Sequence, residues 1–156
     1  MHAFLGASAE CWQVYRRLAS PSASEPDGPR LRRLVTDAYA AQHPGVPQRR
    51  SIQSVAVHLM DLCLLLERHG EIAHGASEPG RSPRRKALDL HWLEPPAARG
   101  TMTVVDALSL DAEDPREARI EAWAGDVWAA WEPHHPTVRS WLDACAGHVG
   151  ERELAN

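Results

Sequence analysis

Four histidines stand where imidazole chemistry could be done. His43 closes one amphipathic segment, His58 lies in the middle of the most apolar segment, and His134-His135 form a pair between Pro133 and Pro136. Asp37 and Asp61 share the segments of His43 and His58. Neutral imidazole with a carboxylate suits Zn²⁺ and, where positions stay open, Fe²⁺ or Ni²⁺. In helical bundles such sites are built from side chains that project inward from facing helices. Asp37, His43, His58, His134 and His135 are therefore the candidate ligands of a divalent ion, with a metal-bound water as nucleophile or base. Adjacent rings seldom reach one ion, so one of His134 and His135 would bind and the other would orient a ligand or touch substrate. Trp128 and Trp131 are candidates for the apolar wall of a substrate pocket, with Asp61 on its polar side.

The spacing itself is not diagnostic. His58-x-x-Asp61 arises by chance in many helices, and Ser54, His58, Asp61 and Arg68 together also describe a solvated stripe. His43 beside Pro44-Gly45 also fits a C-cap histidine that interacts with the helix dipole. His2, His69, His74, His91 and His148 fall near ends, loops or an irregular stretch and read as surface. Cys11, Cys63 and Cys145 are widely spaced and odd in number, which argues for reduced core thiols rather than disulfides or a CxxC motif. Cys63 lies about 140° around its helix from His58, so a Cys–His pair is disfavoured. GxSxG, Walker A, GxGxxG, HExxH and EF-hand patterns are all missing from the sequence. The short basic runs at 30–33, 49–50 and 81–86 read as helix starts and loop tips, or as contacts for a small anion.

The elements that must position these residues are helical. Ser8 can cap a first helix over 8–19 with Cys11, Trp12, Tyr15 and Leu18 on one face. Residues 20–29, with three prolines and a glycine, predict a flexible loop. A second helix runs from Arg30 to His43 on Leu31, Leu34, Val35, Ala38 and Tyr39. Ser51 can cap a third, Ile52 to Glu67, whose apolar residues cover more than half its circumference and place it centrally. Residues 74–83 predict a second flexible loop, and 87–93 a helical turn or short strand. Thr103-Val-Val-Asp106 matches a capping box opening a short helix to about Leu110. Asp114-Pro115-Arg116-Glu117 predicts a helix start with Asp114 at the N-cap. Ile120, Trp123, Ala124, Val127, Trp128 and Trp131 follow at helical spacing. A last helix begins near Pro136 and carries Val138, Trp141, Leu142 and Cys145. The fold class expected is all-α: a single-domain bundle of four to five main helices with proline-rich loops, spanning 1–156.

Composition narrows the class further. The chain has 156 residues, 44% hydrophobic and 24% charged, which is ordinary globular composition and enough for an unstapled core. A net charge of −4 argues against a general nucleic-acid binder. The apolar stretch Val55–Leu66 is interrupted by His58 and Asp61 and is too short to span a bilayer. Met1–Gly6 has no basic or apolar signal region, so a cytoplasmic location is expected.

Several of these stretches together resemble a bacterial family of unknown function. They are Gly6-Ala-Ser-Ala-Glu-Cys-Trp12, Leu34-Val-Thr-Asp-Ala-Tyr-Ala-Ala-Gln-His-Pro-Gly45, Ser51-Ile-Gln-Ser-Val-Ala-Val-His-Leu-Met60, Trp92-Leu-Glu-Pro-Pro96 and Trp123 to Leu142. The resemblance covers about residues 2–149 and implies no activity. Its motif runs through Asp37, Tyr39, Gln42, His43, His58, Trp128, His134 and His135, which adds Tyr39 and Gln42 to the pocket candidates. A Cys-Pro-x-Cys-Gly opening common in the family is missing here, so a metal held by that segment is not expected. Architecture alone is also similar to DinB-like four-helix bundles with three-histidine metal sites. Two functions stay open. One is a small metal-dependent enzyme or small-molecule-binding protein. The other is a non-catalytic helical interaction module, as a homodimer in one form, with a buried His/Asp hydrogen-bond network. Neither implies nucleic acid or membrane.

Overall fold

The structure is a computed structural model that describes residues 7–19, 28–69, 88–109 and 113–146. It is an all-α bundle. The elements are α1 (Ala9–Leu18), α2 (Gly28–Gln42), α3 (Arg49–Leu66), α4 (Val104–Leu108), α5 (Arg116–Ala130) and α6 (His135–Ala146). A 3₁₀ turn, Glu132–His134, links the last two. No strand occurs among the described residues, and no helix there is long and apolar enough to cross a membrane. The expected loop at 74–83 and the basic run at 81–86 lie outside the described residues, as do 20–27 of the other loop.

α2 is the hub. It packs along α3 on one side and α5 on the other, α6 lies against α3, and α4 joins α5 to α1. The seam residues are those that periodicity marked: Leu34, Ala38, Leu59, Leu62, Ile120, Trp123 and Val127 are all fully buried. Removing this much apolar surface from water supplies the main driving force, at about 25 cal/mol per Å². The indoles of Trp123 and Trp131 are fully buried in the same core.

Helix starts show where local signals win and where they yield. Ser8 accepts from Cys11 N–H at 3.2 Å, as its cap position predicts. The Thr103–Asp106 capping box forms with both reciprocal bonds, although α4 ends at Leu108. Two caps fall elsewhere. Arg49 and Arg50 join α3, so Gln48 is its N-cap and Ser51 is buried inside the first turn. Pro115, not Asp114, occupies the N-cap of α5. α2 likewise begins at Gly28, two residues early, because proline is compatible with a first turn that needs no N–H from it.

Residues 88–103 form neither the turn nor the strand expected at 87–93. Side chains, not a ladder, satisfy this segment's backbone. Gln42 Nε2 donates to the carbonyls of Arg99 and Met102 at 2.9 and 2.8 Å. Asp126 Oδ2 accepts from the N–H of Thr101 and Met102 at 2.6 and 2.8 Å. Gly100 sits between them at φ 96°, and a Cβ there would overlap the Asp126 carboxylate. The segment is thereby fixed across α2 and α5.

Candidate functional site

α2 and α3 run antiparallel, joined by 43–48, and their facing flanks carry opposite charges. Asp37 Oδ1 accepts from His58 Nδ1–H at 2.8 Å. One turn away, Arg33 Nη2 donates to Asp61 Oδ1 at 3.1 Å. Advancing four residues along α2 goes back three along α3, as an antiparallel helix pair requires. Side-chain exposure grades across the seam: 5% for Asp37, 13% for Asp61, 24% for His58 and 32% for Arg33.

That gradation decides the chemistry. The buried Asp37 carboxylate fixes the imidazole with its proton on Nδ1, which leaves the Nε2 lone pair as acceptor. Beside it, burial and the Asp37 charge push the Asp61 carboxyl up to about 6, against the pull of Arg33 and His58. A base oriented by a carboxylate therefore stands next to an acid that exchanges its proton near neutrality. Groups whose environments separate their protonation in this way are the usual parts of a proton-transfer site.

A second polar centre lies at the corner of α3, α5 and α6. Arg139 grips Glu67 with two bonds, Nε to Oε2 at 2.8 Å and Nη2 to Oε1 at 2.7 Å. Trp128 Nε1 donates to Glu67 Oε1 at 2.9 Å, and Cys63 Sγ lies 3.6 Å from Oε2. The His135 ring stacks on Trp128 with centroids 3.7 Å apart and donates from Nε2 to the Trp128 carbonyl at 2.9 Å. Arg139 bonding, with the indole, draws Glu67 down to about 2, while burial and Glu67 push the Cys63 thiol up to about 11. Cys63 is thus held as a protonated core thiol.

The candidate ligands are divided among separate centres. Asp37 and His58 meet. His43 donates from Nδ1 to the Tyr39 carbonyl at 2.8 Å, and burial lowers its pKa. His134 Nε2 donates to the Glu94 carbonyl at 2.8 Å, and His135 belongs to the Glu67 centre. Among the described residues no group of three or more His, Cys, Asp or Glu is arranged to hold a metal ion. The pocket candidates are dispersed too. Asp61 flanks the dyad, while Trp128 stacks on His135. Trp131 is fully buried, its indole N–H without a hydrogen-bond partner among the described residues. Tyr39 is buried in a stack with Tyr15 at 4.4 Å and His43 at 4.3 Å, and burial pushes its hydroxyl up to about 12. Gln42 accepts from Trp123 Nε1 at 3.1 Å while it holds the 99–102 backbone.

Residue reading missed Glu67 and Arg139, and took Arg33 as part of the basic run 30–33 without pairing it to Asp61. The signal for Arg33 was present: Arg33 and Asp37, four apart, match Asp61 and His58, three apart, in opposite sign across a helix hairpin. Glu67 and Arg139 are 72 residues apart, and only packing of α6 on α3 brings them together.

Fold and site define a small helical protein with a partly exposed carboxylate–imidazole dyad among the described residues. The family of unknown function DUF5946 matches residues 2–132, and the chain belongs to it. The matched stretch includes Asp37, Tyr39, Gln42, His43, His58, Asp61, Trp128 and Trp131 and stops short of His134 and His135. No curated protein and no solved structure matches the chain significantly.

Proposed function

We propose that this chain acts on a small molecule by proton transfer, with His58 Nε2 as general base, Asp37 as its orienting carboxylate and Asp61 as the neighbouring acid. The observation that carries the reading is the 2.8 Å bond from His58 Nδ1 to a carboxylate whose side chain is 5% exposed, from a histidine whose side chain keeps 24% exposure. The buried carboxylate fixes the orientation of the ring, and the exposure of the His58 side chain leaves room for a substrate proton. Should a divalent ion take part, His58 Nε2 would be the donor and Asp37 the group that orients the ring, while His43, His134 and His135, each bonded through one ring nitrogen to a backbone carbonyl, lie in other parts of the fold. The acid–base reading needs no third ligand.

A second reading, the non-catalytic helical module, is supported by those three carbonyl contacts and by the Gln42 and Asp126 bonds that hold residues 99–102. Carbethoxylation by diethyl pyrocarbonate separates the two, since the imidazole lone pair is what attacks the reagent. Native protein is modified and each histidine peptide is quantified by mass spectrometry. The acid–base reading expects His58 to react at least as fast as exposed His91, and Asp37→Asn to slow it about tenfold or more. An inert His58 beside a reactive His91 leaves the module.

A further inference from the structure

We propose that a cleft between α3 and the segment 88–90 is a binding site for a small organic anion, a carboxylate on an apolar body. The cleft shares no lining residue with the α2–α3 seam or the α3–α5–α6 corner, so it does not depend on the proton-transfer reading. Its volume is about 700 Å³, within the roughly 300–1,000 Å³ of small-molecule sites. Ile52, Leu88 and Leu90 line it and are only half-buried, so each keeps apolar surface in water there. Arg49 and Gln53 line the same space and are exposed. Neither of these two side chains has a hydrogen-bond or ion-pair partner among the described residues. Gln48, also in the lining, donates from Nε2 to Ser51 Oγ at 3.4 Å, which uses one of its two amide hydrogens.

The lining decides the class of ligand. It holds one cation and no Asp or Glu, and the first turn of α3 carries no acidic residue either. Asp89 stands between Leu88 and Leu90 in the chain but does not line the cleft. A guanidinium with no carboxylate of its own offers a planar fork that a ligand carboxylate fits with two bonds. The three apolar side chains call for more than a head group, since a bare inorganic ion would leave them wet. An alkyl or aryl body covers them and removes their surface from water. Ile52 and Gln53 follow Arg49 by three and four residues, so all three share one face of α3. Head group and body are thereby met side by side. The basic run at 49–50, a helix start or an anion contact by sequence, serves through Arg49 as both.

The test is a titration of the full chain at pH 7.5 with sodium octanoate, sodium acetate and octylammonium chloride, followed by backbone amide resonances. Octanoate is expected to give saturable shifts centred on 48–53 and 88–90. It should bind about tenfold or more tightly than acetate, because only octanoate covers Ile52, Leu88 and Leu90. Arg49→Gln should weaken octanoate about fivefold, the size of one exposed ion pair. Gln53→Glu sets a carboxylate four residues from Arg49 and should weaken it by about as much again. Both positions are exposed on α3, so the amide spectrum elsewhere should stay that of the folded wild type. Absence of saturation, shifts centred on the His58 ring, or unchanged affinity in both variants overturns the proposal. So does acetate or octylammonium bound as tightly as octanoate.

Discussion

The α2–α3 seam and the α3–α5–α6 corner use the same three residue types for different ends. Each sets an imidazole near a carboxylate and an arginine. In the corner the His135 side chain is 10% exposed, with Nε2 on a carbonyl and Nδ1 facing Arg139 at 3.5 Å. Its carboxylate, Glu67, is gripped by Arg139 and Trp128. In the seam the carboxylate is the buried member and the His58 ring is the open one. What separates the two here is which partner faces water. Saturated hydrogen bonding gives rigidity, whereas one oriented nitrogen left accessible gives chemistry.

The largest effect should come from breaking the seam's orientation. Asp37→Asn is expected to cut His58 carbethoxylation about tenfold or more with little change in fold, because an amide can present its N–H to the ring and reverse the tautomer. The same comparison predicts that His135→Ala leaves His58 reactivity unchanged.

Next in size is the corner. Glu67→Gln should destabilise the protein by about 1.5–3 kcal/mol at pH 7, measured by urea unfolding, through loss of charge-assisted bonds. Glu67 is held near 2, so its contribution is present above the ordinary carboxylate range and disappears as pH falls towards 2. The difference between wild type and Glu67→Gln should close over that acid interval.

Asp61 works in the opposite sense. Its folded-state value is raised to about 6, so the native state binds the proton more tightly than the unfolded chain does. The contribution is full below about pH 4 and is lost as pH rises through 6. Asp61→Asn should therefore gain about 1 kcal/mol over wild type at pH 8 and nothing below about pH 3.5. Equal pH profiles would place Asp61 with the solvated surface. Smallest is a change outside both regions: Thr103→Ala should cost about 0.5–1 kcal/mol by opening the capping box, with no effect on either centre.

The helices were legible because a local rule wrote each of them. Period placed α2, α3, α5 and α6, and Ser8 and Thr103 placed caps. Ser51 and Asp114 misled because a good cap residue does not forbid one more turn upstream, and tertiary packing chose the longer α3 and the Pro115 start. Of the candidate site, Asp37, His58 and Asp61 could be named from helical position, yet the same stripe fitted a solvated face. Only the register of α2 against α3 tells the two apart. His134 and His135 drew attention as a pair, but the corner aims their rings at two different carbonyls. Glu67 and Arg139 had no local pattern at all.

The central claim is that His58 carries its proton on Nδ1 and keeps Nε2 open. Long-range ¹H–¹⁵N spectra of the imidazole rings, recorded at a pH where the rings are neutral, report this directly. The account predicts a protonated Nδ1 and a bare Nε2 for His58 in wild type, lost or reversed in Asp37→Asn. A His58 ring found with its proton on Nε2 in wild type would contradict it.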